Sequence, residues 1–268
     1  MKLAAIQMVS AARVEANLAA AQALLREAAA QGAELAVLPE YFCIMGRQDT
    51  DKLAAREPFG DGPIQDFLSR SAKELGLWIV GGTLPLATSE PGLVRNSSLA
   101  FAPTGACVAR YDKMHLFRFT DGREAYDETR VLQPGTGPVS FELASRDGQV
   151  YQVGMSVCYD LRFPELYRAL NADLLLVPSA FTTTTGQAHW EVLLRARAIE
   201  NQAFVVAAAQ GGVHESGRRT WGHSMVIDPW GQIIGQRAEG AGLVLAEVSL
   251  ADLQATRDRL PALEHRVL

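Results

Sequence analysis

The chain of 268 residues is 48% apolar and 21% charged, the make-up of an ordinary soluble globular protein. Its formal net charge of −5, with no run of basic residues, argues against nucleic acid or an anionic membrane as a partner. Cys43, Cys107 and Cys158 are an odd number without CxxC spacing, so neither a disulfide framework nor a zinc site is signalled.

The opening residues, MKLAAIQMVS, lack the small-residue cleavage site of a signal peptide. The longest apolar stretches, such as 204–209, fall well short of a bilayer span. A reducing cytoplasm is the expected location. Strand-like and helix-like segments alternate, which predicts an α/β protein. Residues 3–9 read as a buried strand, 14–31 as an Ala/Leu/Glu-rich helix ended by Gly32, and 35–38 as a short strand leading to Pro39-Glu40. Helical spacing over 64–75 closes at Gly76. Strands follow at 78–81, 97–101 and 107–111, the last two joined by the turn Pro103-Thr104-Gly105.

From 113 to 138 periodicity stops, which predicts a long ordered loop of the kind that often carries function. Beyond it the reading gives a strand at 150–157 ending at Cys158, a short helix at 165–170 and a strand at 174–178. A helix at 188–201 and a strand at 204–209 follow. Strands 225–227 and 233–236 flank the turn Asp228-Pro229-Trp230-Gly231, and a last strand at 243–248 precedes a helix from about Ala251. No linker, repeat or low-complexity segment interrupts this order, so one domain spanning 1–268 is expected.

Glu40, Lys113 and Cys158 each stand at a strand end, where ligands bind in α/β sheets. A cysteine hydrolase needs a thiol, a group to take its proton, and positive charge where the oxyanion forms. A lone cysteine after a strand is ordinarily a small buried hydrophobe. Cys158 differs because its strand runs into Tyr159-Asp160-Leu161-Arg162-Phe163-Pro164-Glu165, a turn with acids and an arginine that opens a helix. A thiol near a helix amino terminus is expected to favour thiolate. His189 offers a papain-like alternative as base, although it and His223 are more often structural residues.

Leu38-Pro39-Glu40, Tyr111-Asp112-Lys113-Met114-His115-Leu116 and Cys158–Glu165 resemble, in order, the three signature blocks of the nitrilase superfamily of carbon–nitrogen hydrolases. Further matches at 178–181, 186–191 and 222–231 extend the resemblance over essentially the whole chain. It implies a four-layer α-β-β-α sandwich, usually paired in dimers or larger homo-oligomers, and catalysis without cofactor or metal. It implies Cys158 as nucleophile, Glu40 as base, and Lys113 with the Tyr159 backbone N–H on the oxyanion. Many members carry a second glutamate after the lysine. Glu128 fits that place through the following 131–135, and Glu124 is the rival.

The segments 188–200 and 205–210 look closest to the branch that hydrolyses deaminated glutathione, beside the omega-amidases that act on alpha-ketoglutaramate. Such a small-molecule amide has a keto-acid head that needs a cation and hydroxyls. Arg162 can fork onto a carboxylate, with Thr185 as hydroxyl and Phe181 as apolar wall. Arg162 could instead pair with Asp160 or Glu165, and the threonine run 182–185 could be a plain loop. A redox-sensing or binding protein on the same fold is the non-enzymatic alternative.

Overall fold

The computed structural model describes residues 1–122 and 124–267. Two mixed β-sheets face each other, each covered outside by helices. The first has three parallel strands at its centre, Lys2–Gln7, Leu35–Val37 and Trp78–Val80. Gly242–Glu247 closes one edge antiparallel to Lys2–Gln7, and Val94–Phe101 pairs antiparallel with Trp78–Val80 on the other side. Leu84–Ala87 and Cys107–Asp112 both pair with Val94–Phe101. The second sheet has parallel Val150–Met155, Leu174–Leu176 and Phe204–Ala207, edged by antiparallel Val139–Ala144 and by the hairpin Ser224–Ile227/Ile233–Arg237.

Period-two alternation decides what each central strand buries. Leu3, Ala5, Leu35 and Val37 point into the core shared by the two sheets. Ala4, Ile6, Ala36 and Leu38 point the other way, under the helices Val14–Ala30 and Pro63–Leu75. Both faces are therefore apolar, as expected of parallel strands covered on each side. Helices Pro164–Leu170 and Thr183–Asn201 cover the second sheet. The layer order is α-β-β-α, the sandwich expected from the resemblance.

Several expected boundaries change. The stretch 113–138 is not loop throughout: Arg118–Thr120 and Ala125–Asp127 form a two-stranded hairpin, and Glu128–Arg130 makes one helical turn. The helix expected from 188 begins at Thr183, because Thr182 caps it by accepting from the Thr185 N–H. The threonine run is thus a helix start and not a plain loop. Strands Leu84–Ala87, Val139–Ala144, Gly211–Val213 and Arg219–Trp221 and the short helix Asp51–Ala54 were not expected. These are edge or three- to four-residue elements, or in 139–144 a half-exposed strand, and they carry little periodic signal.

The two sheets are tied where the site forms. Gly211 N–H donates to Met8 O at 2.9 Å, and the buried Gln210 amide donates to the Glu40 carbonyl at 3.1 Å.

Candidate active site

Glu40 follows Leu35–Val37, Lys113 follows Cys107–Asp112, and Cys158 follows Val150–Met155. The first two come from one sheet and the third from the other, so the residues meet only because the sheets stack. All three line one pocket of about 300 Å3.

Lys113 is 1% exposed and is held between two carboxylates. Its Nζ donates to Glu40 Oε1 at 3.0 Å and to Glu128 Oε1 and Oε2 at 3.0 and 2.8 Å. Burial acts to lower the lysine pKa, but Glu128 and Glu40 outweigh it, so the ammonium is held above its usual range. Burial likewise pushes Glu128 toward its neutral form, and Lys113 and Lys52 more than reverse this, leaving it lowered. Glu128 also accepts from Tyr41 Oη at 2.8 Å and from the Phe117 N–H at 2.7 Å. The structure brings Glu128 onto Lys113, not Glu124, which sits in the hairpin beside Asp121 with one buried oxygen unpaired.

Glu40 is fixed by more than its lysine. Asn96 Nδ2 donates to its Oε1 at 2.9 Å and the Ala180 N–H to its Oε2 at 2.9 Å. Carboxylate, ammonium and second carboxylate thus form a buried, hydrogen-bonded row. A buried charge row is tolerable only when each member is paired, as here.

Cys158 sits in the left-handed backbone region at φ +53°, a conformation that costs a non-glycine residue on the order of 1–3 kcal/mol. The turn is held in place by Cys158 N–H donating to Pro178 O at 2.9 Å. Asp160 is fully buried and accepts from the Val157 N–H at 2.8 Å, from Tyr111 Oη at 2.7 Å, and from the His115 N–H at 3.1 Å, with His115 Nδ1 2.7 Å away. His115 stacks on Phe163 at 3.7 Å. One carboxylate therefore joins the nucleophile's turn to the segment that carries Lys113.

The expected thiolate is corrected. Burial pushes the Cys158 thiol well above its usual range, the Glu40 carboxylate raises it further, and Lys113 only partly opposes this. One helical turn, Cys158–Arg162, begins at the nucleophile itself, ahead of the helix Pro164–Leu170, yet burial and Glu40 still leave the thiol raised. The resting group is a neutral thiol beside a carboxylate.

Arg162 lines the pocket without an ion pair to Asp160 or Glu165. Its guanidinium nitrogens lie 3.3 Å from His189 Nδ1, and it rests about 5.7–5.8 Å from the Tyr159 and Phe181 rings. Asp160 is unavailable because its oxygens are already used. Phe181 and Thr185 also line the pocket, and the Thr185 hydroxyl meets that of Thr182 at 2.9 Å. His189 is taken up by Arg162 and does not line this pocket. His223 Nδ1 bonds Trp221 O at 2.9 Å.

Sequence reading missed Asn96, Tyr41 and Arg218. Asn96 had a weak signal, a large amide in a strand that ends in the apolar run Leu99-Ala100-Phe101. Tyr41 directly follows Glu40 and is bent at φ +57°. Arg218 had none, since it lies in a turn between two three-residue strands.

The profile of the family described as Carbon-nitrogen hydrolase matches residues 2–258. A deaminated glutathione amidase of Synechocystis sp. is 41% identical over 270 residues, covering 98% of this chain and 97% of that protein. An omega-amidase of Danio rerio is 34% identical, covering 99% and 94%. The crystal structure of the C. elegans NitFhit protein is similar with a TM-score of 0.87 and 35% identity; the match covers 99% of this chain but 65% of that one, so this chain spans under two thirds of the nematode protein. With such matches along nearly its full length, and a thiol, ammonium and two carboxylates gathered in one pocket, the chain belongs to the carbon–nitrogen hydrolases of the nitrilase superfamily and is an amidohydrolase.

Proposed function

We propose that the protein hydrolyses deaminated glutathione, the form of glutathione whose amino group has become a keto group, through a thioester on Cys158. The neutral thiol beside Glu40 is what supports the chemistry. As sulfur attacks the amide carbon, Glu40 takes the thiol proton and the carbonyl electron pair moves onto oxygen. The Lys113 ammonium and the Tyr159 N–H receive that negative charge, which forms only in the transition state. When the C–N bond breaks, Glu40 gives its proton to the leaving nitrogen. Water then attacks the thioester, losing a proton to Glu40, and the departing sulfur takes that proton back. Glu128 keeps Lys113 charged and in place throughout.

The observation that carries the substrate reading is Arg162. A guanidinium without an acidic partner among the described residues, four residues past the nucleophile and on the wall of its pocket, suits the keto-acid carboxylate. Phe181 and Thr185 flank it. The relatives at 41% and 34% identity are named deaminated glutathione amidase and omega-amidase. The omega-amidase reading differs only in what leaves.

The direct test compares kcat/KM on deaminated glutathione, alpha-ketoglutaramate and a simple aliphatic nitrile. Deaminated glutathione should be the best of the three, and Cys158→Ala should turn over none of them while keeping its melting temperature. A clear preference for alpha-ketoglutaramate would assign the protein to the omega-amidases. Residual turnover by the alanine variant, with contamination excluded, would remove the covalent mechanism. The protein further works as a dimer or larger homo-oligomer, a reading supported by exposed Val192, Ile199 and Trp230 around the helix Thr183–Asn201.

A further inference from the structure

We propose that Arg218 is a specificity-determining residue that binds a carboxylate carried by the leaving amine, so that the enzyme prefers amides charged at both ends. This inference rests on the substrate reading above and extends it from the acyl half to the half that departs.

The pocket is lined by two arginines, and they are not equivalent. Arg162 belongs to the turn of Cys158 and lies with Tyr159, Phe181 and His189. Arg218 reaches the pocket from the turn between strands Gly211–Val213 and Arg219–Trp221. Its Nη2 donates to Ala180 O at 3.2 Å, its Nη1 lies 3.9 Å from Met45 Sδ, and the guanidinium lies over the Tyr126 ring at 5.2 Å. Its Nε is buried without a hydrogen-bond partner. Among the described residues no carboxylate forms an ion pair with it. Its charge instead adds to burial in lowering the pKa of Lys52 and of His214. A guanidinium with an unused buried N–H and no counter-ion, at the wall of an active site, calls for an anion from outside the chain.

Its place relative to Glu40 says which part of the substrate brings that anion. Glu40 returns a proton to the leaving nitrogen, so that nitrogen must come within hydrogen-bond reach of its carboxyl group. The N–H of Ala180 binds Glu40 Oε2 at 2.9 Å, and the carbonyl of the same residue binds Arg218. One residue therefore links the proton donor to the second arginine. Whatever substituent the leaving nitrogen carries emerges beside Arg218, while the acyl head extends toward Arg162. Ammonia, the leaving group of alpha-ketoglutaramate, has nothing to offer there. Cysteinylglycine, the leaving group of deaminated glutathione, ends in a carboxylate.

A pair of substrates differing in one charge isolates this contact: deaminated glutathione and its analogue with the glycine carboxylate converted to a carboxamide. Kinetics with the full-length enzyme, its Arg218→Gln variant and its Arg218→Lys variant, beside alpha-ketoglutaramate, provide the readout. The unmodified enzyme should prefer the carboxylate by about tenfold or more, mostly through KM, as a charge-assisted bond implies. Arg218→Gln should abolish that preference and leave alpha-ketoglutaramate turnover within about twofold, and Arg218→Lys should restore part of it. If Arg218→Gln slows all three substrates by the same factor, Arg218 only braces the hairpin through Tyr126 and the inference fails. Equal rates of the unmodified enzyme on carboxylate and carboxamide would also overturn it, with the substrate reading intact. An unmodified enzyme that cuts alpha-ketoglutaramate but neither glutathione derivative would instead overturn the substrate reading itself.

Discussion

Lys113 shows how one side chain serves stability and chemistry together. Its ammonium is ion-paired with both Glu40 and Glu128 in the resting protein, and in the proposed mechanism it also meets the oxyanion. Lys113→Ala should lower kcat by roughly a hundred- to a thousandfold with a smaller change in KM, as for loss of one oxyanion donor. It also strands two carboxylates, so a stability loss on the order of 3–5 kcal/mol is expected and thermal melting must accompany the kinetics. His189→Ala should cost far less, because that ring contacts Arg162 and not the thiol. A folded Lys113→Ala enzyme near the original rate would reverse the assignment. The same row sets a pH window. Glu128 has its pKa lowered from 4.5, so it binds fewer protons folded than unfolded; its stabilisation is present above about pH 4.5 and is lost as pH falls through the folded value. Lys113 has its pKa raised from 10.5, so its share is complete below that pH and is lost only as pH rises through the folded value. Melting temperatures between pH 6 and pH 3 should therefore drop less steeply for Glu128→Gln than for the unmodified protein. Equal slopes would show that the carboxylate is not linked to folding.

Among the elements, the short turns behind the strand ends do the positioning. Gly82 follows the strand Trp78–Val80 with φ +48°, and a Cβ there would lie 2.0 Å from Pro39 O, in the peptide that leads to Glu40. No rotamer relieves a clash with backbone. Gly82→Ala should therefore shift Pro39-Glu40, lowering both the melting temperature by several degrees and kcat by about tenfold or more. Gly32, at φ +83° with open space around its Cβ position, is the control: Gly32→Ala should cost only about 1 kcal/mol and leave kcat unchanged. Unchanged kinetics in Gly82→Ala would mean that Glu40 is placed by its hydrogen bonds alone. The Asp160 turn shows the same logic. The acids near Cys158 were visible in the sequence, but which partners Asp160 takes, and that this frees Arg162, depends on Tyr111 and His115 arriving from 45 to 49 residues away.

For the molecule as a whole, the outer face of the helix Thr183–Asn201 is where a second copy would sit. Val192 and Ile199, seven residues apart and so on one side of the helix, are 69% and 49% exposed, and Trp230 near Ile199 is 53% exposed. Sedimentation should give a dimer or larger, and the double change Val192→Glu and Ile199→Glu should shift it toward monomer. A monomer from the unmodified protein at micromolar concentration would overturn the proposal. The central strands and long helices were legible because burial on one or both faces imposes a period that a single chain displays. Glu40, Lys113 and Cys158 were legible as pocket residues because each follows a strand in a distinctive local string, and the resemblance of those strings carried their order and the roles proposed for them. Three features depend on how the chain folds back on itself. The contact of Glu128, and not Glu124, with Lys113 followed from where the 118–127 hairpin folds back. The neutral state of Cys158 followed from burial and from Glu40, which comes from the opposite sheet. The entry of Arg218 into the pocket followed from a turn 60 residues beyond the nucleophile. Hydrophobic periodicity is a property of neighbours in the chain, whereas desolvation and charge pairing depend on neighbours in space, and these the sequence does not order.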